Sequence, residues 1–118
     1  MTITLPQAQN QASLCCPPQA GGAPLTTEAI VDLATRLKAI ADPVRLQLLT
    51  HLLSQPDLES CTCILAPIVN LSEPTVSHHL KKLEASGLLT KERRGMSVYY
   101  RVVPESIHSI ASALHFDC

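Results

Sequence analysis

Apolar residues recur every three or four positions between residues 71 and 87, and this period predicts an amphipathic helix. Its apolar stripe consists of Val76, Leu80 and Leu83. Ser72 suits the N-cap, Pro74 suits the first turn, and Gly87 suits a left-handed stop. The pattern therefore predicts a helix with both of its ends marked.

The other arc of this helix is rich in hydroxyl, imidazole and ammonium groups, supplied by Thr75, Ser77, His78, His79, Lys81 and Lys82. Such groups contact phosphates and base edges in the major groove of DNA. Taken alone, the same stretch also fits a charged exterior helix with two incidental histidines. Its neighbours in the chain favour the DNA-binding interpretation.

A basic segment follows the stop, with β-branched and aromatic residues after Gly95. It predicts a β-hairpin that turns at Gly95 and carries Arg93 and Arg94 toward DNA phosphates. Upstream, residues 63–71 form a short apolar segment suited to the first helix of a helix-turn-helix. The order helix, turn, helix, hairpin predicts a mainly α fold with a β-hairpin wing, a winged helix-turn-helix.

Helical periodicity also marks both flanks of this unit. Thr27 is predicted to cap a helix whose apolar positions are Ile30, Leu33, Ala34, Leu37, Ile40 and Ala41. Asp42 and Pro43 predict the start of a second helix, with Leu46, Leu49 and Leu53 facing inward. A last helix is predicted over about residues 104–114. Its narrow apolar stripe is typical of a surface that packs against a neighbouring subunit.

The charge of the chain is unevenly distributed. Its 118 residues carry a net charge of −1, which by itself argues against nucleic-acid binding. Between Ser72 and Arg101, however, six basic residues face three glutamates. Positive charge is therefore concentrated on the predicted DNA-binding unit.

Composition divides the chain into an arm and a domain. Residues 1–25 are rich in Gln, Pro, Gly and Ala without periodicity, which predicts a flexible arm carrying Cys15 and Cys16. Residues 26–118 are predicted to form one DNA-binding and dimerisation domain. No signal peptide or membrane-spanning run is evident, so we expect a cytoplasmic protein without a membrane partner.

Two pairs of thiols are the strongest candidate chemistry in the sequence: Cys15 and Cys16 in the arm, and Cys61 and Cys63 before the helix-turn-helix. Clustered thiolates favour soft ions: zinc, cadmium, lead, copper(I) or arsenic(III). Side chains two residues apart diverge on a helix, so we expect an extended backbone at this pair. Because a proline deep inside a helix clashes with the carbonyl four residues earlier, Pro67 favours a regular helix that starts near Leu65. Thiol redox sensing and the absence of any role are the alternatives.

At this point the chain resembles the ArsR/SmtB family of metal-responsive winged-helix repressors. The resemblance spans residues 33–102 and rests on Lys38–Leu46, Ser72–Leu80 and Gly95–Tyr100. It implies a homodimer, formed by the first and last helices, that binds double-stranded operator DNA without an ion and is released when an ion binds thiolates.

The Cys-Cys arm and the Cys-x-Cys pair resemble the arsenic-responsive members in particular. The resemblance therefore implies arsenite or antimonite as effector at Cys15, Cys16, Cys61 and Cys63, with three or four thiolates bound. Cadmium, lead or zinc remains the alternative. The second metal site of the family, on the last helix, would fall at Pro104, Ser106 and Asp117, which lack its imidazoles.

Enzyme motifs are missing from the sequence. We find no Gly-rich phosphate loop, no nucleophile elbow, no H-E-x-x-H and no C-x-x-C in a βαβ setting. The expected protein is therefore a regulator, not an enzyme, and has no small organic substrate.

Overall fold

The computed structural model describes residues 24–114, and the helices and strands are numbered within that range. Two helices come first, α1 (Thr27–Ile40) and α2 (Pro43–Leu53). A short strand β1 (Glu59–Cys61) leads into α3 (Thr62–Val69) and α4 (Glu73–Ala85). The hairpin strands β2 (Leu89–Arg94) and β3 (Ser97–Val102) and the helix α5 (Pro104–Ala113) complete the described chain. The predicted winged helix-turn-helix is confirmed.

Side-chain caps start the first two helices. Thr26, one residue before the predicted cap, accepts a hydrogen bond from the amide of Ala29 at 3.2 Å and begins α1. Asp42 caps α2 as predicted, since one of its carboxylate oxygens accepts from the amides of Val44 and Arg45, both at 3.0 Å. Pro43 occupies the first turn, where a missing amide hydrogen costs nothing.

The buried face of α2 differs from the predicted one. Leu48, Leu49 and Leu52 are buried, whereas Leu46 and Leu53 are exposed. The prediction was wrong at these two exposed positions because leucine occurs around most of the α2 circumference. Spacing within such a helix does not determine which face meets the core.

The segment around the C-x-C pair contains a strand and an early helix start. Strand β1 pairs antiparallel with β3 and was not predicted as a strand. Helix α3 starts at Thr62, so the expected start near Leu65 was wrong. Pro67 lies inside α3 and removes the amide that would bond the carbonyl of Cys63. The helix therefore lacks one of its internal hydrogen bonds and ends two residues later, at Val69.

The three strands form one sheet in the order β1-β3-β2. Gly95, with φ of +62°, lies in the turn between β2 and β3, as predicted. The core lies between α2, α3, α4 and the base of the sheet, and its buried residues include Leu52, Leu65, Leu80, Leu83, Leu88, Tyr100 and Val102. Helix α4, the second helix of the helix-turn-helix and its recognition helix, therefore shares one core with the hairpin.

Helix α5 is joined to the end of α4 by two hydrogen bonds. The buried Ser106 hydroxyl donates to the carbonyl of Gly87 at 2.7 Å. The amide of Val103 donates to the carbonyl of Leu88 at 2.9 Å. Within residues 24–114 no helix is both long and apolar enough to cross a membrane.

Candidate nucleic-acid interface and thiol site

Helix α4 packs its predicted apolar stripe into the core and leaves the polar arc outside. Val76, Leu80 and Leu83 are buried. The polar arc divides into exposed side chains and half-buried ones. Thr75, His78, Lys81 and Lys82 are exposed, whereas Ser77 and His79 are half-buried. The exposed residues are free to meet a large partner such as a DNA groove.

His79 is held against the start of α2. Its Nδ1 lies 3.4 Å from the Arg45 guanidinium and 4.0 Å from the Asp42 carboxylate. Arg45 also donates from Nε to the carbonyl of Ala39 at 2.6 Å. The backbone bond from Arg45, with the charges of Arg45 and His79, lowers the pKa of Asp42. This cluster fixes the recognition helix relative to α2.

A groove of about 430 Å³ runs between α4 and the hairpin. Its lining combines hydroxyl, cationic and apolar groups, contributed by Ser77, Lys81, Lys91, Arg93, Val98 and Tyr100. Because successive residues of a strand face opposite sides of a sheet, Lys91 and Arg93 share this side with the recognition helix. The groove has the charge and the position expected of a phosphate contact.

Arg94 belongs to the opposite face of the sheet. Its guanidinium bonds both oxygens of Glu59, at 2.6 and 3.1 Å, and its Nε bonds Glu92 at 2.8 Å. The guanidinium carbon also lies 4.3 Å from the centroid of the Tyr99 ring. Hydrogen bonds to Glu59 and Glu92 raise the pKa of Arg94, and the Arg94 bond lowers the pKa of Glu59. The structure thus separates two arginines that the sequence pattern grouped together.

Cys61 and Cys63 meet at the N-terminus of α3, where a disulfide joins them. Cys61 is the N-cap and has an extended backbone, whereas Cys63 lies in the first helical turn. The change of backbone between them brings the two sulfurs together, so the expectation that both residues are extended was wrong for Cys63. Cys61 is buried and Cys63 is exposed. A thiolate site here requires the reduced form.

The other proposed ligands, Cys15 and Cys16, lie outside the described residues. Within residues 24–114 no three His, Cys, Asp or Glu side chains are grouped as a metal site. Any third ligand for Cys61 and Cys63 must therefore come from outside this range or from a second copy of the chain. On α5, the Ser106 hydroxyl donates to the carbonyl of Gly87 and has no imidazole to offer a metal.

Several residues that contact the candidate site residues were not predicted from the sequence. Glu59 and Tyr99 engage Arg94, and Arg45 holds His79. The Thr62 hydroxyl donates to the Glu73 carboxylate at 3.4 Å and links the first turns of α3 and α4. Asp42 was recognised only as a cap. No local signal identifies the Glu59–Arg94 and Arg45–His79 contacts, because they join residues 35 and 34 positions apart in the chain.

Residues 42–91 match the family model described as bacterial regulatory protein, arsR family. The arsenic resistance transcriptional regulator ArsR1 of Pseudomonas putida is 40% identical over 68 residues, which are 58% of this chain and 52% of that protein. This chain thus spans about half the length of that relative. The arsenical resistance operon repressor of Staphylococcus xylosus is 38% identical over 67% of this chain and 73% of its own.

Solved structures share the fold. The homodimeric winged helix-turn-helix DNA-binding domain of a possible ArsR-family regulator from Mycobacterium bovis superposes with a TM-score of 0.63, at 26% identity, over 80% of this chain and 85% of that one. The AntR antimony-specific transcriptional repressor superposes with a TM-score of 0.65, at 25% identity, over the same shares of the two chains.

Proposed function

Because the chain belongs to the arsR family of bacterial regulatory proteins, we propose that it is a cytoplasmic transcriptional repressor released from its operator by arsenite or antimonite. In this proposal a homodimer binds double-stranded operator DNA in the absence of the ion. The ion then binds thiolates of Cys61 and Cys63 together with Cys15 and Cys16 of the arm. The observation that carries the proposal is the meeting of the Cys61 and Cys63 sulfurs at the first turn of the helix-turn-helix.

The exposed face of α4 and the adjoining groove support DNA as the partner. Thr75, His78, Lys81 and Lys82 are exposed, and Ser77 lines the groove, so these side chains can reach base edges and phosphates. Lys91 and Arg93 extend the same positive surface onto the wing. His79 contributes by holding α4 in place. Arg94, held by two carboxylates, is left out of the proposed phosphate contacts.

The chemistry of the donors supports a soft ion. Arsenous acid exchanges its hydroxides for thiols: three As–S bonds form, three As–O bonds break, and three waters leave carrying the thiol protons. Cys61 and Cys63 supply two sulfurs, and the arm offers the third. The names of the arsenic and antimony repressors among the relatives favour this effector over cadmium, lead or zinc, which would take all four thiolates in a tetrahedron.

The proposed mechanism is thermodynamic linkage between ion binding and operator binding. The two recognition helices of a dimer must meet the operator at a fixed separation, near one turn of DNA. An ion that draws Cys61 and Cys63 toward the arm favours a conformation in which α3, and with it α4, is displaced. The ion and the operator then weaken each other by the same coupling free energy. About 3 kcal/mol would lower operator affinity more than a hundredfold.

The test is release of a fluorescent promoter fragment from the reduced, full-length protein, with arsenite, antimonite, cadmium, lead and zinc titrated in parallel. We expect arsenite and antimonite to release the fragment at the lowest concentrations. The substitutions Cys61→Ser and Cys63→Ser should abolish release while operator binding without the ion persists, since serine oxygen is a poor ligand for soft ions.

Cys118→Ser is the matched control, because Cys118 is the one cysteine not assigned to the site. It should respond like the wild type. The double variant Cys15→Ser, Cys16→Ser tests the arm. If it still releases DNA normally with arsenite, the arm is excluded as a source of ligands.

The disulfide supports a second candidate function, a redox-responsive repressor. Two thiols and hydrogen peroxide would give the disulfide and two waters, and a dithiol reductant would reverse the step. The same assay distinguishes the two functions. In the redox case, peroxide releases DNA from the wild type and from the Cys15→Ser, Cys16→Ser variant alike, and arsenite has no effect on the wild type.

A further inference from the structure

The Arg94 side chain spans the whole width of the sheet. Arg94 ends β2, an edge strand, and its guanidinium reaches Glu59 on β1, the other edge. In between, it lies over the ring of Tyr99 on the middle strand. A single side chain therefore ties the tip of the wing to the strand on the far side of the sheet.

This contact occupies the guanidinium and offsets its charge. All three of its nitrogens donate to carboxylates, and the fork on Glu59 is bidentate, the geometry that makes arginine–carboxylate pairs strong and directional. Glu59 is largely covered, with 12% of its side chain exposed. Both carboxylates are hydrogen-bonded to this guanidinium, so its charge is compensated locally and is less available to a phosphate.

Glu59, the residue of β1 in this contact, lies two positions before Cys61. Strand β1 has three residues: Glu59 begins it and Cys61 ends it. Cys61 pairs in register with Tyr99, the residue under the guanidinium. A change in the backbone at Cys61 therefore acts on two of the groups that hold Arg94, Glu59 and the Tyr99 ring.

We propose that the Glu59–Arg94 pair is a positioning contact that transmits ion binding at Cys61 and Cys63 to the DNA-binding wing. The inference rests on the proposed function and deepens it. When the ion reorders β1, Glu59 shifts and, through the bidentate fork, draws Arg94 and the wing away from their position beside the recognition helix. The pair thus sets how strongly the ion and the operator oppose each other, and contacts neither of them.

The decisive variant is Glu59→Gln, which breaks the ionic fork without altering the positive charge of the wing. Its matched control is Glu92→Gln, since Glu92 binds the same guanidinium from its own strand and does not reach β1. The measured quantity is the ratio of operator dissociation constants with and without saturating arsenite, in the reduced full-length protein. Arsenite binding is followed separately by sulfur-to-arsenic absorbance.

We expect a ratio of about a hundredfold for the wild type and for Glu92→Gln, and less than about tenfold for Glu59→Gln. Arsenite should bind all three proteins, and their operator affinities without arsenite should agree within about threefold. A full ratio in Glu59→Gln overturns the inference. So does an equally reduced ratio in both variants, because the link across the sheet would then be irrelevant.

If the wild-type protein binds arsenite but stays bound to its operator, the proposed function itself is refuted. There is then no coupling for the Glu59–Arg94 pair to transmit. If Glu59→Gln fails to fold, Glu59→Asp replaces it. Aspartate retains the charge and is one methylene too short for the bidentate fork, so the ratio should again fall. A full ratio in Glu59→Asp overturns the inference.

Discussion

Arg93 and Arg94 are neighbours with the same charge, yet they face opposite sides of the hairpin. Arg93 lines the groove beside the recognition helix, whereas Arg94 is bound by carboxylates. Only Arg93 is therefore placed to displace counterions from a DNA backbone.

Replacing Arg93 with alanine should weaken binding to all DNA sequences. It should also lower the slope of log affinity against log salt by about 0.9 for each phosphate that the variant no longer neutralises. Arg94→Ala is the matched control and should leave this slope unchanged. Fluorescence anisotropy at four salt concentrations measures both. An unchanged slope in Arg93→Ala would remove the wing from the interface.

Asp42 combines two roles, since its carboxylate caps α2 and also lies 4.0 Å from the His79 ring. Its folded-state pKa is lowered, first by the backbone bond from Arg45. Its ionised form therefore stabilises the folded protein above the ordinary pKa of 3.8, and this contribution disappears as the pH falls through that value and below it.

Asp42→Asn retains the cap but removes the charge. We expect its unfolding free energy to depend less on pH than that of the wild type between pH 6 and 3, as measured by urea denaturation at each pH. Asp57→Asn, in the exposed loop after α2, serves as the control. If both variants keep the wild-type pH dependence, the cap charge contributes nothing to acid sensitivity.

At the scale of elements, the turn between α3 and α4 depends on one left-handed residue. Asn70 has φ of +57° and its amide bonds the carbonyl of Pro67 at 3.2 Å. Asparagine tolerates this conformation better than most residues that carry a Cβ, and glycine tolerates it best.

We therefore expect Asn70→Ala to lower the free energy of unfolding by about 1 kcal/mol, and Asn70→Gly to change it by less than about 0.5 kcal/mol. Thermal and urea unfolding of the two variants measure the difference. Equal destabilisation by both would mean that the asparagine side chain, and not the backbone conformation, holds the turn.

How much of each element was predictable depended on whether its signals were local. Caps and stops at Asp42, Ser72 and Gly87 act within a few residues, so they located α2 and α4 correctly. Strand β1 has three residues and exists through its pairing with β3, a contact that sequence periodicity does not contain. The prediction of the inward face of α2 was wrong for the same reason, because packing against α3 and α4 determines which face is buried.

The site shows the same division. The outward position of Thr75, His78, Lys81 and Lys82 followed from the period of the helix. The separation of Arg93 from Arg94 required the alternation of a strand whose exact register was not known. The capture of Arg94 by Glu59 depends on a contact 35 residues apart in the chain, which no motif encodes.

At the scale of the whole molecule, α1 is left with apolar side chains in water. No residue of α1 is buried in a single copy. Ile30 and Val31 are each more than half exposed, and Leu37 is also exposed. Such a surface on a small protein is typical of a subunit interface, which supports the proposed homodimer.

Val31→Asp should convert the dimer to a monomer and weaken operator binding, because one copy reads only half of a two-fold symmetric site. Sedimentation velocity gives the oligomeric state and anisotropy gives the affinity. Met96→Asp is the control for the oligomeric state alone, since Met96, at 95%, is the most exposed large apolar side chain of the described residues and lies at the tip of the DNA-binding wing. A dimeric Val31→Asp protein would place the interface elsewhere.

The hydrogen bond from Ser106 to Gly87 has a consequence for how such regulators diverge. It makes the end of the recognition helix and the start of α5 one rigid joint. In the proposed dimer, formed through α1 and α5, base recognition would depend on side chains along the outer arc of α4, and the distance between half-sites would depend on this joint. Point changes on the arc can give descendants new target sequences at constant half-site spacing, whereas new spacing requires rebuilding the connection at Ser106.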